Sequence, residues 1–80
     1  MKLTYDPKYN VAYIRLQTRK NIRVQTLRLS DSLNVDIAPD VTVCGIELLN
    51  ANKQLRGREK GKLIIENLLT GKSASLDLPR

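Results

Sequence analysis

Three carboxylates in the middle of the chain, Asp36, Asp40 and Glu47, are the side chains best suited to acid–base chemistry or to holding a divalent cation. Asp36 falls on the polar side of a predicted strand, and Asp40 follows Pro39 in a predicted turn. Solvated and turn-capping roles account for both placements. An enzyme that uses these carboxylates with a divalent ion is therefore the weakest of three functional hypotheses.

The residues for other kinds of catalysis are missing from the sequence. It contains no His and one cysteine, Cys44, so a Ser or Cys nucleophile has no imidazole base and a zinc site lacks ligands. The glycine-rich nucleotide-binding motifs do not occur either. We therefore predict a protein that is not an enzyme, with no catalytic residue, no cofactor and no metal site.

Cys44 and the N-terminal residues indicate the compartment. Cys44 lies in an alternating apolar segment, which is typical of a small buried side chain in a reducing environment. The N-terminal residues lack the apolar core of a signal peptide, and no segment is apolar over the length of a membrane span. We expect a cytoplasmic protein that does not bind membranes.

Charge is arranged in blocks along the 80 residues. Residues 1–30 carry a balance of +6, residues 31–52 carry −4 and residues 53–80 carry +4, which together give the net charge of +6. The densest basic cluster contains Arg56, Arg58, Lys60 and Lys62. A solvated connection is the favoured interpretation of this cluster and anion contact is the second. Nucleic-acid binding, to RNA or DNA, through a basic surface is therefore the alternative function.

Short β-prone segments separated by turn residues fill most of the chain. Alternation and β-branched residues predict strands over residues 2–5, 11–16, 22–29, 33–38, 42–49, 62–67 and 73–78. A change of apolar parity predicts a β-bulge near Gln25–Thr26, and Gly45 marks a bulge or a close backbone approach. Asn50 is the predicted N-cap of a short helix over residues 51–56, which Gly57 ends.

These elements predict one small, mainly β domain over residues 1–80. Connections of two to five residues favour an antiparallel β-meander sheet with one short helix and a C-terminal hairpin over any βαβ arrangement. A chain of this length buries only roughly 60–65% of the surface that its unfolded form exposes. We therefore expect marginal stability or a partner.

The first predicted hairpin is apolar on both sides. Ala12, Ile14 and Leu16 share one side. If the loop has five residues, the other side is an interaction surface that contains Tyr5, Val11, Tyr13 and Arg15. A second copy of the chain is the simplest partner for this surface, so a homodimer is predicted. Stacking of Tyr13 on a nucleic-acid base belongs to the alternative function.

Four motifs follow one another in the first part of the chain: Lys2-Leu-Thr-Tyr-Asp6, Ala12-Tyr-Ile-Arg-Leu16, the Asp36 strand and Gly45-Ile-Glu-Leu-Leu-Asn-Ala51. In this order they resemble the small prokaryotic "domain of unknown function 2283" family over residues 2–51, with residues 52–80 as a helix and hairpin extension. Asp36-Ile-Ala-Pro-Asp40 departs from the more carboxylate-rich turn of that family.

The resemblance implies a small β-rich fold with no catalytic residue or cofactor to carry over. It also implies an antitoxin-like or partner-binding module whose partner is a small toxin-like protein. Together with the two-sided hairpin, it makes a non-enzymatic protein-interaction module that self-associates as a dimer the leading functional hypothesis.

Overall fold

The computed structural model describes residues 1–17, 21–55 and 61–77, and they are mainly β. Its elements in chain order are β1 (Lys2–Asp6), β2 (Val11–Arg15), β3 (Gln25–Ser30), β4 (Leu33–Ile37), β5 (Val43–Leu49), α1 (Ala51–Leu55), β6 (Lys62–Glu66) and β7 (Ser73–Asp77). The predicted fold class is confirmed: antiparallel strands, one short helix and a C-terminal hairpin. In the described part of the chain no helix is long and apolar enough to cross a membrane.

The five N-terminal strands form one antiparallel sheet in the order β1-β2-β5-β4-β3. In the predicted meander each strand pairs with the next strand along the chain. This holds for the β1-β2 hairpin and for β3, β4 and β5, but β2 pairs with β5 rather than with β3. This order places the apolar β5 in the centre, where neighbours on both sides bury it. It also leaves the largely exposed β3 at an edge.

Two irregularities interrupt the ladder. The predicted bulge near Gln25–Thr26 is wrong, because β3 begins at Gln25 and its register shifts later, between Arg28 and Ser30. Ile22 and Val24 therefore lie before the strand, which accounts for the change of apolar parity. A second shift occurs between β4 and β5, where Asp36 pairs with Gly45 and Ile37 pairs with Val43. Cys44 is the extra residue of this bulge, beside Gly45, where a bulge or a close backbone approach was predicted.

The sheet is a single layer. Successive strand residues point to opposite faces, yet all five residues of β4 are half-buried. A sheet covered on one face would instead show alternating burial along this strand. The buried apolar residues in the described part of the chain are all small: Ala12, Ala38, Cys44 and Ala51. No large apolar side chain of these described residues is fully buried, so beyond the five-residue α1, which contacts β2, they form no second layer on the sheet.

Hydrogen bonds that Asn10 accepts attach the helix α1 to the sheet. Asn10 is the last residue of the β1-β2 turn. The Asn10 carbonyl accepts from Ala51 N–H at 3.0 Å, and Asn10 Oδ1 accepts from Asn52 N–H at 2.8 Å. Asn50 holds the predicted N-cap position, and its carbonyl accepts from Lys53 N–H at 3.1 Å. The side chain that caps the helix is therefore that of Asn10, whereas the predicted stop at Gly57 lies outside the described residues.

Candidate interaction surface

The strand registers sort the side chains of the sheet into two faces of opposite character. One face carries apolar residues in three rows, of which two continue across four or five neighbouring strands and the third contains Ile37; we call it the open sheet face. Its members are Leu3, Tyr5, Ala12, Ile14, Leu27, Leu33, Val35, Ile37, Ile46 and Leu48. In its central row Leu27, Val35, Ile46, Ile14 and Leu3 lie side by side, and each is half-buried.

The opposite face, which we call the polar face, is held together by side-chain hydrogen bonds. Tyr13 Oη donates to Asp36 Oδ2 at 2.7 Å, and Thr26 Oγ1 donates to Asp36 Oδ1 at 2.6 Å. Beside them Asn34 Nδ2 donates to Glu47 Oε1 at 2.8 Å. The bonds to Asp36 connect β2, β3 and β4 across β5, whereas the buried Asn34 Oδ1 has no hydrogen-bond partner among the described residues.

Gly45 makes the reach of Tyr13 possible. A Cβ atom at Gly45 would lie 1.9 Å from Tyr13 Oη and 2.3 Å from Tyr13 Cζ, so the phenol ring lies directly over the backbone of β5. This is the close approach predicted from the glycine. Burial and the hydrogen bond to Asp36 raise the pKa of Tyr13 from 10.0 to about 12.

The predicted interaction surface of Tyr5, Val11, Tyr13 and Arg15 is split between the two faces, and this is a correction. The β1-β2 turn contains four residues rather than five, so Tyr5 pairs with Ala12 and lies on the open sheet face. Val11, Tyr13 and Arg15 lie on the polar face. A change of one residue in loop length reverses the face of a whole strand.

The three carboxylates are not brought together. Asp36 and Glu47 lie on the polar face, where Thr26, Tyr13 and Asn34 donate to them. Asp40 lies in the turn after β4, where its Oδ1 accepts from Thr42 N–H at 3.1 Å. Within the described ranges, no three His, Cys, Asp or Glu side chains are grouped as metal ligands would be.

Of the predicted anion contacts, Lys62 is described. It is exposed on β6 and faces Asp77 across the hairpin. Arg56, Arg58 and Lys60 lie outside the described residues. On the sheet, Lys2 and Arg15 are exposed and directly opposite each other, whereas Arg28 pairs with Asp31 at 3.2 Å.

Sequence reasoning missed the open sheet face as a surface. The alternation of Leu33, Val35 and Ile37 was a clear signal of an apolar face, but it predicts burial without showing what supplies it. A signal that a second layer is missing was the shortness of the remaining elements, because α1 spans five residues and the C-terminal hairpin has only two strands.

A family model described as "Protein of unknown function (DUF2283)" matches residues 2–52, which is more than half of the chain. The match ends within α1 and contains all five strands of the larger sheet. The β6-β7 hairpin lies outside it. No curated protein matches the chain. No solved structure matches it either.

Proposed function

The chain belongs to the DUF2283 family, and since that family has no known function, we propose from the structure that it is a non-enzymatic protein-interaction module that self-associates as a dimer. The observation that carries this proposal is the open sheet face, ten residues of largely apolar character on a sheet without a second layer. Covering such a face removes apolar area from water, which is the main favourable contribution in protein association.

The total surface of the chain supports the proposal. The chain exposes 6577 Å², whereas a compact monomer of 9.1 kDa is expected to expose about 4,900 Å². The excess of about 1,700 Å² is roughly twice the 800 Å² or so that each partner contributes to a standard interface. Likewise, the radius of gyration is 14.1 Å, against about 11.6 Å for a compact domain of this length.

The character of the two faces indicates which one binds. The polar face carries the exposed charges of Lys2 and Arg15 beside the hydrogen-bonded Asp36, so covering that face would remove water from charged groups. The open sheet face contains no charged side chain. A second copy presents the same apolar face, so a two-fold axis brings like surfaces together. The buried free thiol of Cys44 agrees with a reducing, cytoplasmic location, which is part of the proposal.

The test is light scattering after size exclusion on the full chain, with Val35→Thr and Val11→Thr as matched variants. Both changes replace a half-buried valine by its isostere, but Val35 lies on the open sheet face and Val11 on the polar face. Burying an extra hydroxyl costs about 1–3 kcal/mol, and a two-fold dimer contains it twice. We expect Val35→Thr to raise the dimer dissociation constant at least tenfold and Val11→Thr to change it less than threefold.

A monomer at concentrations on the order of 100 μM would overturn the proposal, because the free energy of self-association would then be weaker than about 5.5 kcal/mol. A dimer that both variants weaken equally would overturn the assignment of the face.

Nucleic-acid binding stays a prediction, and titrating the same sample with a labelled oligonucleotide at rising salt tests it. Binding through basic residues weakens steeply with salt. An antitoxin-like role would require a small protein partner that displaces the second copy from the open sheet face.

A further inference from the structure

Within the described residues, the β6-β7 hairpin is not part of the larger sheet. Its strands pair with each other in a separate sheet, and all ten strand residues are exposed. The register places Leu63 opposite Leu76 and Ile65 opposite Ala74, so these four side chains form one apolar side. Ile65 is 52% exposed and Leu76 is 62% exposed. Isolated two-stranded hairpins are marginally stable in water, so this one needs a surface to pack on.

The turn of the hairpin is nonetheless well ordered by local bonds. Asn67 Oδ1 accepts from Leu69 N–H at 2.9 Å and from Thr70 N–H at 3.2 Å, and Gly71, at φ 75°, donates to the Asn67 carbonyl at 2.8 Å. Left-handed backbone of this kind is the conformation that glycine adopts without strain. The turn therefore sets the register of the hairpin. We call residues 62–77 the arm.

We infer that the arm of each chain packs its apolar side, formed by Leu63, Ile65, Ala74 and Leu76, on the open sheet face of a second copy. This inference rests on the proposed function, because it names the segment that covers the face in the dimer. Both surfaces are apolar; the strand residues of the arm are all exposed, and no large side chain of the open sheet face is fully buried in the described part of the chain. Sheets pack face to face at about 10 Å in just this way, with apolar side chains interdigitating.

Dimensions favour exchange between two copies. A two-stranded arm is about 10 Å wide and the five-stranded face about 24 Å wide, from a strand spacing of about 4.8 Å. One arm therefore covers less than half of the face and leaves room for contact between the two sheets. Residues 56–61 connect α1 to the arm, and a connection of this length can span at most about 20 Å. Exchange of identical elements buries both surfaces twice.

Disulfide trapping tests the exchange directly, in a Cys44→Ala background that removes the native thiol. One chain carries Ile65→Cys on the apolar side of the arm, and a second, size-tagged chain carries Val35→Cys on the open sheet face. After mixing and mild oxidation, we expect a cross-linked heterodimer. The matched control is Ile64→Cys, which lies on the opposite side of the arm and faces Ser75. Its cross-linked yield should be at least fivefold lower.

The outcomes separate the inference from the proposed function. A dimer by light scattering that gives equal yields for the two arm positions would overturn arm exchange and leave self-association intact. A chain that carries both Ile65→Cys and Val35→Cys and closes into a cross-linked monomer at low concentration would also overturn exchange. A monomer in light scattering would overturn both. In addition, Ile65→Thr should raise the dimer dissociation constant about fivefold, whereas Ile64→Thr should leave it unchanged within twofold.

Discussion

Adding one methyl group at Gly45 should destabilise the fold through Tyr13. In Gly45→Ala the new Cβ would lie 1.9 Å from Tyr13 Oη and 2.3 Å from Tyr13 Cζ, so the ring must leave its place over β5. Overpacking of this kind costs about 1–3 kcal/mol. Displacing the ring also breaks the 2.7 Å bond to the Asp36 carboxylate, a class of bond worth about 1.5–3 kcal/mol and less on a half-exposed face.

We therefore expect Gly45→Ala to lower the free energy of unfolding by about 2–3 kcal/mol, or Tm by about 10–20 °C in a domain of this size. The decisive measurement is a double-mutant cycle with Tyr13→Ser, followed by urea or thermal denaturation at one fixed protein concentration. Without the ring, alanine in a strand is better than glycine by about 0.5–1 kcal/mol. Gly45→Ala should then become neutral or stabilising. An equal loss in both backgrounds would refute the role assigned to Tyr13.

Two further predictions concern the attachment of the helix and the polar face. Asn10→Gly removes the side-chain acceptor of Asn52 N–H but keeps the backbone freedom that a φ of 57° requires, so it should lower the free energy of unfolding by about 1 kcal/mol. Asn10→Ala should lower it by about 1 kcal/mol more, because alanine is strained at this φ. Equal urea midpoints for both variants would contradict the φ argument. Because the pKa of Tyr13 is raised by burial and by Asp36 to about 12, its contribution to stability should be complete below pH 10 and lost as pH rises through 12. In a pH titration followed by tyrosinate absorbance, one ionisation step should occur near pH 12. Tyr13→Phe should abolish this step, and Asp36→Asn should shift it to lower pH.

Local features of the fold were predictable because neighbouring residues encode them. In the first turn, Asp6 Oδ1 accepts from Lys8 N–H at 2.9 Å and from Tyr9 N–H at 3.3 Å, the side-chain turn that an Asp before Pro7 indicates. The Gly45 prediction succeeded for a similar reason, since few structural situations require glycine within an otherwise apolar strand.

Non-local features were not predictable from pattern alone. The pairing of Ile14 with Ile46 joins residues far apart in sequence, and no local signal distinguishes it from a β2-β3 pairing. The face on which Tyr5 lies depended on one residue of loop length. The helix cap came from Asn10, which sequence reasoning assigned to a turn and not to α1.

In the proposed dimer, one face of the sheet holds the fold together and the other binds the second copy. Tyr13, Asp36 and Thr26 connect three strands by hydrogen bonds on the polar face, so losing them should lower the stability of the single chain. Val35 and Ile46 lie on the open sheet face, where a second copy would remove their apolar area from water. Changes there should act on association more than on the folded monomer. A single-layer sheet can therefore carry these two properties on alternate residues of one strand, as Val35 and Asp36 do in β4.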